Sequence, residues 1–442
     1  MSNDNPIRLT AATTGICNLP GITPASANAV SERLSENHRT HHIFFDQRGR
    51  HNHLVHNLLA IYDLGAPASV INDSYRRESS YQRDLSAVAP PSSPSKVDLS
   101  DPAQWKEYLG NPAAYGIFLE YFTKEIEKYG YETVVNKTLF DRSEKADDML
   151  VRLFSGLTHP FIHVGYGLEF RQPAIVAEGL SMAAAQEAWF REFLISAEKK
   201  SQADQGDTTL VGLINEIQGN EKLRLAAQWE EGNKIKKMLQ RALEEMLSYA
   251  SRYKVPAEEL QEKMAESINA VALFTAAAQR EDKEIKIDFF YMHSHNSSLF
   301  LPVYLKQDWI SEANKVRLLE WKTRINLAFY ASQRAPELRI DEIRNYVPKE
   351  KPETNPWLNI IDRALKVKDD GHTAKFVRAC IVGEKTCAPY QEHEDKGFVV
   401  RDDMWIKIAQ MCIDSVEAEG EHWAMGVGFD EAWEKYGPKE QY

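Results

Sequence analysis

The chain has 442 residues, of which 27% are charged and 43% hydrophobic, and its formal net charge is −12. This is the composition of an ordinary globular protein that is large enough to bury a polar site. The negative charge, which no basic stretch offsets, excludes a general nucleic-acid-binding protein.

Two features bear on the cellular compartment. The start of the sequence, MSNDNPIRLT, lacks the charged and apolar segments of a secretory signal, and no apolar run reaches the about 18 residues that span a bilayer. We therefore expect a cytoplasmic protein with no transmembrane segment. The four cysteines have no paired CxxC spacing, which predicts reduced thiols and no disulfide framework. The oligomeric state is not indicated by the sequence.

Helical periodicity dominates the chain. In chain order, helices are predicted at residues 113–130, 175–200, 222–254, 257–279 and 355–367. Segments that alternate with a period of two are scarce, so we predict a mainly α fold, a large helical bundle-like unit over residues 1–442. Polar connectors at 86–101 and 199–209 suggest two lobes, about 1–200 and 210–442, without requiring independent domains.

Four segments place histidines beside strongly apolar stretches. The first, HNHLVHNLLA, carries His51, His53 and His56. On a helix His53 and His56 would share a face, whereas His51 would point elsewhere. The second, THPFIHVGYG, carries His159 and His163 four residues apart, so one helix face presents both rings. Spacing alone does not choose between these two.

The third and fourth segments follow the same pattern. YMHSHNSS carries His293 and His295, of which we expect only His293 to face inward. DDGHTAKFV places His372 and Lys375 three residues apart at the entry to an apolar helix. Neutral imidazoles are the commonest protein ligands of transition metals. The four segments therefore predict a metal site between helices that are distant in sequence.

The same segments resemble the questin oxidase-like family of fungal enzymes. The matching stretches are residues 41–66, 157–180, 289–302, 369–379 and 423–433. They follow one another in the same order as in members of the family. The resemblance implies an Fe(II)-dependent oxygenase that uses O2 to cleave the central ring of an anthraquinone to a benzophenone carboxylic acid. This reaction belongs to fungal polyketide biosynthesis, and an aromatic polyketide would be the substrate.

The resemblance also implies a mononuclear non-haem iron held mainly by histidines, together with a carboxylated lysine. The residues that it assigns to catalysis and metal binding are His56, His163, His293, His372 and Lys375. His159 is a further candidate metal ligand, and His53 is a reserve ligand. Not all of these histidines can bind the metal, because an octahedral ion that keeps a position for O2 has too few sites for them.

A lysine at position 375 also has a physical rationale. Burial and a nearby cation both disfavour an ammonium, so the pKa of Lys375 should fall and leave a neutral amine. Such an amine can capture carbon dioxide, and the resulting carbamate is an anionic oxygen donor that suits iron. The alternative is an ordinary helix lysine that keeps its charge in water.

Aromatic and amide side chains near the segments are candidates for substrate binding. Tyr166 and Phe170 could stack on a flat polycyclic molecule, and Asn296 could bind a hydroxyl group. Ordinary core packing is the alternative for each of them.

Other functions remain open at this point. A flavin-dependent enzyme is disfavoured, because VGYGLEF has Phe170 where a dinucleotide-binding motif needs its third glycine. A Baeyer-Villiger-type monooxygenase that requires NADPH stays open, although no site for this reductant is visible. A zinc-dependent hydrolase could use the same histidines, and a non-catalytic helical protein could carry them in its core. The exact substrate and the number of oxygen atoms incorporated are not defined by the sequence.

Overall fold

A computed structural model describes residues 6–89, 91–92, 97–201, 208–351 and 354–439. Over these residues the chain is helical, with a few 3₁₀ turns, and its β-structure consists of isolated bridges. The mainly α, bundle-like prediction is confirmed. Within the same ranges, none of the helices combines the length and the apolarity that a bilayer crossing requires.

The first helices lie between Pro24 and Ala185. They are α1 (Pro24–Thr40), α2 (Leu54–Asp63), α3 (Ala68–Ser79), α4 (Pro102–Tyr108), α5 (Tyr115–Tyr129), α6 (Tyr131–Val135), α7 (Glu144–Leu153), α8 (Ser155–Glu169) and α9 (Pro173–Ala185). A π-helical turn, Asn136–Phe140, follows α6 directly.

The remaining helices are α10 (Arg191–Ser201), α11 (Leu210–Gly219), α12 (Glu221–Arg224), α13 (Lys234–Ala250), α14 (Leu260–Ala277), α15 (Phe289–Ser298), α16 (Leu301–Leu305), α17 (Glu312–Ser332), α18 (Ile340–Arg344), α19 (Pro356–Ala364), α20 (His372–Cys387) and α21 (Met404–Glu417).

Two predicted helices are interrupted. The helix predicted at 175–200 breaks between α9 and α10, because Gln186 adopts an extended backbone and its carbonyl oxygen accepts a hydrogen bond from Arg152. The helix predicted at 222–254 breaks between α12 and α13, and the side chain of Asn233 caps the new N-terminus by accepting from the N–H of Lys236. At both places, helix capping and tertiary hydrogen bonds end a helix that the periodic apolar pattern would continue.

The chain forms two compact units, each assembled from separate stretches. The first runs to Phe190 and adds Pro302–Ser311 and Lys368–Lys375. The second consists of Arg191–Leu301, Glu312–Val367 and the chain from Phe376 onward.

In the first unit, α8 and α9 pack against each other at two glycines. A Cβ atom on Gly167 would lie 2.7 Å from the backbone nitrogen of Val176, and one on Gly179 would lie 2.7 Å from that of Val164. Both distances are shorter than real Cβ contacts, so any larger residue would force the two helices apart. This close packing fixes the position of α8, which carries His159 and His163.

The start of α20 lies against α2 through a tight turn. Gly371 has a φ of +81°, and a Cβ atom there would lie 2.5 Å from the Cα of Asn57. Only glycine combines the left-handed backbone with so close an approach. The turn therefore places Asp370 and His372 beside the first turn of α2.

In the second unit, α15 contacts α14 and α17 and begins at a buried carboxylate. Asp288 accepts hydrogen bonds from the backbone N–H groups of Phe290 and Tyr291 in α15, and of Gly426 and Val427 near the C-terminus. The segment 423–433 thus docks onto the N-terminus of the helix that carries His293.

Candidate metal centre

Histidines from three segments of the sequence gather in the first unit. We call this group the histidine cluster; its members are His51, His53, His56, His159, His163 and His372, all buried. The prediction that His51 points away from the other histidines is wrong, because its ring stacks on that of His159 with 4.1 Å between centroids. The reason is that α2 starts only at Leu54, so helical spacing does not apply to the residues before it.

Three members of the cluster bring ring nitrogens close together. Nitrogen atoms of His53, His159 and His372 lie within 4.8 Å of one another. The Nδ1 of His53 lies 2.9 Å from Asp370 Oδ2, and the Nδ1 of His372 lies 2.6 Å from Asp370 Oδ1. The Nδ1 of His159 lies 2.5 Å from the carbonyl oxygen of Gly156. Since carboxylate and carbonyl oxygens only accept, each Nδ1 carries the proton and each Nε2 presents its lone pair.

This arrangement is typical of metal-binding histidines, whose second nitrogen is held by a carboxylate or a carbonyl group. The Nε2 atoms of His53 and His159 are only 2.7 Å apart, so two lone pairs face each other. Such a contact is stable only with a proton or a cation between the nitrogens. The cluster therefore favours a positively charged occupant.

A second pair of histidines has unused nitrogen atoms. Neither ring nitrogen of His56 has a hydrogen-bond partner among the described residues, and the same holds for Nδ1 of His163. The two rings are 5.1 Å apart. Buried polar atoms without partners are rare in proteins and call for an explanation such as an ion.

Glu178 orients His163. Its Oε2 accepts from Nε2 of His163 at 2.8 Å, and its Oε1 accepts from Nδ1 of His38 at 2.7 Å. Burial alone would raise the pKa of Glu178, but these hydrogen bonds outweigh burial and lower the pKa to about 2. The carboxylate is ionised, so Nε2 of His163 carries a proton, and Nδ1 is the nitrogen that has no partner among the described residues.

Lys375 is fully buried in the same region. Its Nζ has no hydrogen-bond partner within the part of the chain that the structure describes. Desolvation lowers the pKa of Lys375 to about 8, against the opposing influence of Asp370 and Asp369. The ammonium is not in water. The alternative of an ordinary helix lysine that keeps its charge in water therefore has no physical basis here. An appreciable fraction of the amine is neutral near pH 7.

Burial also favours the neutral form of His53, His56 and His372. Desolvation lowers the pKa of His53 to about 4 and lowers the pKa of His372, in both cases against the attraction of Asp370. The pKa of His56 falls well below its usual value because of desolvation and then the charge of Lys375. Neutral imidazole is the form that binds a metal.

Sequence reasoning missed three carboxyl groups at the cluster: Asp370, Glu178 and Glu78. Glu78 accepts a hydrogen bond from the side chain of Asn57, and desolvation followed by the charge of Asp370 raises its pKa to about 8. Asp370 had a sequence signal, since two acidic residues directly precede Gly371 and His372 in DDGH. Glu178 lies in an apolar helical run and had no comparable signal.

His293 and Asn296 lie on α15 in the second unit, and both are buried. The Nδ1 of His293 lies 2.7 Å from the carbonyl oxygen of Phe289, and Asn296 donates to the sulfur of Met292. The assignments of His293 as a metal ligand and of Asn296 as a substrate contact stay predictions.

Tyr166 and Phe170 lie in the first unit and are also buried. The ring of Tyr166 stacks on His56 at 5.5 Å, and Phe170 follows at 6.3 Å from Tyr166. In the structure Tyr166 therefore supports a cluster histidine, and the predicted stacking of both rings on substrate stays a prediction.

The fold and the cluster together define a helical protein with a buried, histidine-rich candidate metal centre. The sequence profile of the questin oxidase-like family matches residues 50–380. A Baeyer-Villiger oxidase of Pestalotiopsis fici is 36% identical over 97% of this chain and 97% of its own length. A questin oxidase of Aspergillus fumigatus is 35% identical over 95% of this chain and 96% of its own length. A Baeyer-Villiger monooxygenase of a Cryptosporiopsis species is 35% identical over 98% of both chains.

The chain belongs to the questin oxidase-like family. It is an oxidoreductase of the kind that acts with oxygen, as its relatives are.

Proposed function

We propose that this chain is an Fe(II)-dependent oxygenase that opens the central ring of an anthraquinone to give a benzophenone carboxylic acid in fungal polyketide biosynthesis. The names of the relatives, questin oxidase and Baeyer-Villiger oxidase, support the reaction class. The observation that carries the proposal is the buried histidine cluster, in which both nitrogens of His56 and Nδ1 of His163 have no hydrogen-bond partner among the described residues. Breaking a carbon–carbon bond with O2 needs a redox centre that side chains do not provide.

The residues of the first unit fit a single iron ion. We assign His56, His163 and His372 as ligands, through either nitrogen of His56, Nδ1 of His163 and Nε2 of His372. The Nε2 lone pairs of His53 and His159 face each other across 2.7 Å, so we keep these two histidines as reserve ligands of the same ion. His293 remains part of the proposed set on the strength of the sequence, and its substitution provides the test.

Lys375 is proposed as the anionic ligand. Its neutral amine attacks carbon dioxide, a new N–C bond forms, and one proton leaves to solvent. The product is a carbamate. The carbamate would give Nζ the partner that it lacks, and its negative charge would offset part of the charge of the metal.

A ferrous ion bound here would supply the electrons and the Lewis acidity that O2 activation requires. The protein side chains do the rest. Asp370 fixes the tautomers of His53 and His372, and Glu178 fixes that of His163. Tyr166 holds the ring of His56 by stacking, and burial keeps water from the cluster.

Metal content and oxygen consumption test the proposal together. Protein isolated without chelator should contain about one iron per chain and consume O2 when an anthraquinone such as questin is added. Zinc in place of iron, with turnover under anaerobic conditions, would instead indicate a hydrolase.

Labelling with ¹⁸O2 and measurement of NADPH consumption separate the two oxygenase mechanisms. Two labelled atoms in the product without NADPH consumption indicate a dioxygenase. One labelled atom with one NADPH consumed indicates a Baeyer-Villiger-type monooxygenase.

A further inference from the structure

A cavity of about 300 Å³ opens in the first unit among α4, α5, the π-helical turn and α7. None of the residues that line it belongs to the histidine cluster. This volume is at the lower end of the range for small-molecule sites, enough for a molecule with two aromatic rings.

The floor of the cavity is aromatic. Trp105 is buried, and its ring contacts Tyr121 at 5.8 Å and Phe122 at 6.1 Å, both nearly edge-to-face. Edge-to-face packing leaves ring faces available for a further aromatic group.

Two lysines flank this floor. The Nζ of Lys145 lies 3.5 Å from the centroid of the Trp105 ring, and Lys137 lines the same cavity. Neither ammonium forms an ion pair with any residue in the described ranges. Desolvation and then the charge of Lys137 lower the pKa of Lys145 to about 8, although Glu125 and Asp141, which line the same cavity, oppose the shift. The charge of Lys137 thus acts unfavourably on Lys145, and an anion bound beside the two lysines would offset this effect.

We propose that this cavity is a second small-molecule site that binds an aromatic carboxylate, with the carboxylate between Lys137 and Lys145 and an aromatic ring on Trp105. The long side chain of Lys145 can move off the ring while its ammonium stays close, so ring stacking and ion pairing form together. The carboxylate that the proposed reaction would release belongs to this class, but the site is inferred from its own residues and does not depend on that reaction.

Other ligand classes use only part of this site. A cationic ligand could pair with Glu125 or Asp141, which also line the cavity, but it would leave both lysines without a counter-ion. An inorganic anion such as phosphate would leave the aromatic floor unused. A neutral polycyclic molecule would leave both ammonium groups unpaired. An aromatic carboxylate uses all three features.

The test measures binding of 2-benzoylbenzoate to the full chain by isothermal titration calorimetry, with neutral benzophenone as the comparison ligand. Lys145→Met and Lys137→Met should each weaken binding of the acid about tenfold, since a charge-assisted contact is lost. The matched control is Lys124→Met on α5, because Lys124 pairs with Glu120 and does not line the cavity. Lys145→Arg should retain binding, and thermal melts of every variant report on folding.

Two results would overturn the proposal. One is a double variant, Lys137→Met with Lys145→Met, that melts like the wild type and still binds the acid as tightly. The other is a result in which His56→Ala loses binding of the acid while the lysine variants keep it. This result would assign the acid to the histidine cluster. The second result leaves the proposed oxygenase function intact, and failure of that function would leave binding at this cavity unchanged.

Discussion

His53 and His372 share the two oxygens of one carboxylate, that of Asp370. The residue before α2 and the first residue of α20 are thereby held by one side chain, with each Nδ1 directed to the carboxylate. Burial alone would raise the pKa of Asp370, but the contacts with the two histidines outweigh burial and lower the pKa well below its ordinary value. The carboxylate is therefore an acceptor for both rings at once.

Asp370→Asn should weaken metal binding about 10- to 100-fold, the usual effect of losing a group that orients ligands. An amide has one oxygen, so it can accept from only one histidine, and its NH2 group would force the other ring into the tautomer that protonates Nε2. Chelator competition measures the affinity. Asp369→Asn is the matched control. Within the described residues its carboxylate accepts hydrogen bonds from the backbone N–H and the hydroxyl group of Thr373, and an amide oxygen can still accept both. Equal loss in both variants would show a general effect of the turn.

The ligand assignment predicts which histidine substitutions remove iron. His56→Ala, His163→Ala, His372→Ala and His293→Ala should each lose most of the metal, measured by elemental analysis of purified protein. His393→Ala is the control, since its side chain is 44% exposed and contacts Glu262.

The substitution His159→Ala separates the two histidines of α8. Because the proposed ligand set contains His163 and keeps His159 in reserve, this variant should retain more metal than His163→Ala. The reverse order would transfer the ligand role from His163 to His159.

Lys375→Ala should lose most of its turnover, because the metal loses its anionic ligand. Added formate or acetate should restore part of the activity by occupying the same position. Lys368→Ala controls for charge removal nearby, since Lys368 is exposed in the same stretch of the first unit. In wild-type protein prepared with ¹³C-bicarbonate, a carbamate carbon signal that is absent from Lys375→Ala would identify the modification. A variant with unchanged metal content and turnover would remove the lysine from the site.

Glu78 predicts a pH dependence of the stability of the metal-free protein. The pKa of its carboxyl group is raised from 4.5 to about 8 in the folded state, chiefly by desolvation. The folded state therefore binds one more proton than the unfolded state between these values, and stability falls as the pH rises through this range. The contribution is complete below about pH 4.5 and lost above about pH 8.

Glu78→Gln resembles the protonated acid, so the variant should gain stability relative to wild type as the pH rises from 5 to 8. Urea unfolding at several pH values measures this difference. A constant difference across the range would show that Glu78 is ionised throughout.

The sequence predicted the helical class and several members of the cluster, because a histidine beside a long apolar stretch can be recognised from the sequence alone. His56, His163, His372 and Lys375 are all buried in the first unit, as that pattern indicated. The interruption between α9 and α10 was not predictable, since it depends on a hydrogen bond from Arg152, which is distant in the sequence.

The orienting carboxylates were hidden for a related reason. Glu178 acts through a contact between α8 and α9 that two glycines make possible, and such close packing has no signature in a single periodic pattern. His51 was misjudged because the helical spacing was extended to residues that precede α2.

The entrance to α8 has a consequence for engineering this protein. Gly156, Leu157 and Thr158 all adopt left-handed backbone conformations, and the two non-glycine residues each cost about 1 kcal/mol or more. Leu157→Gly would relieve part of this strain and yet give more freedom to the segment whose carbonyl oxygen, on Gly156, holds His159. A gain in thermal stability from a substitution at this position should therefore be accompanied by a less rigid histidine cluster.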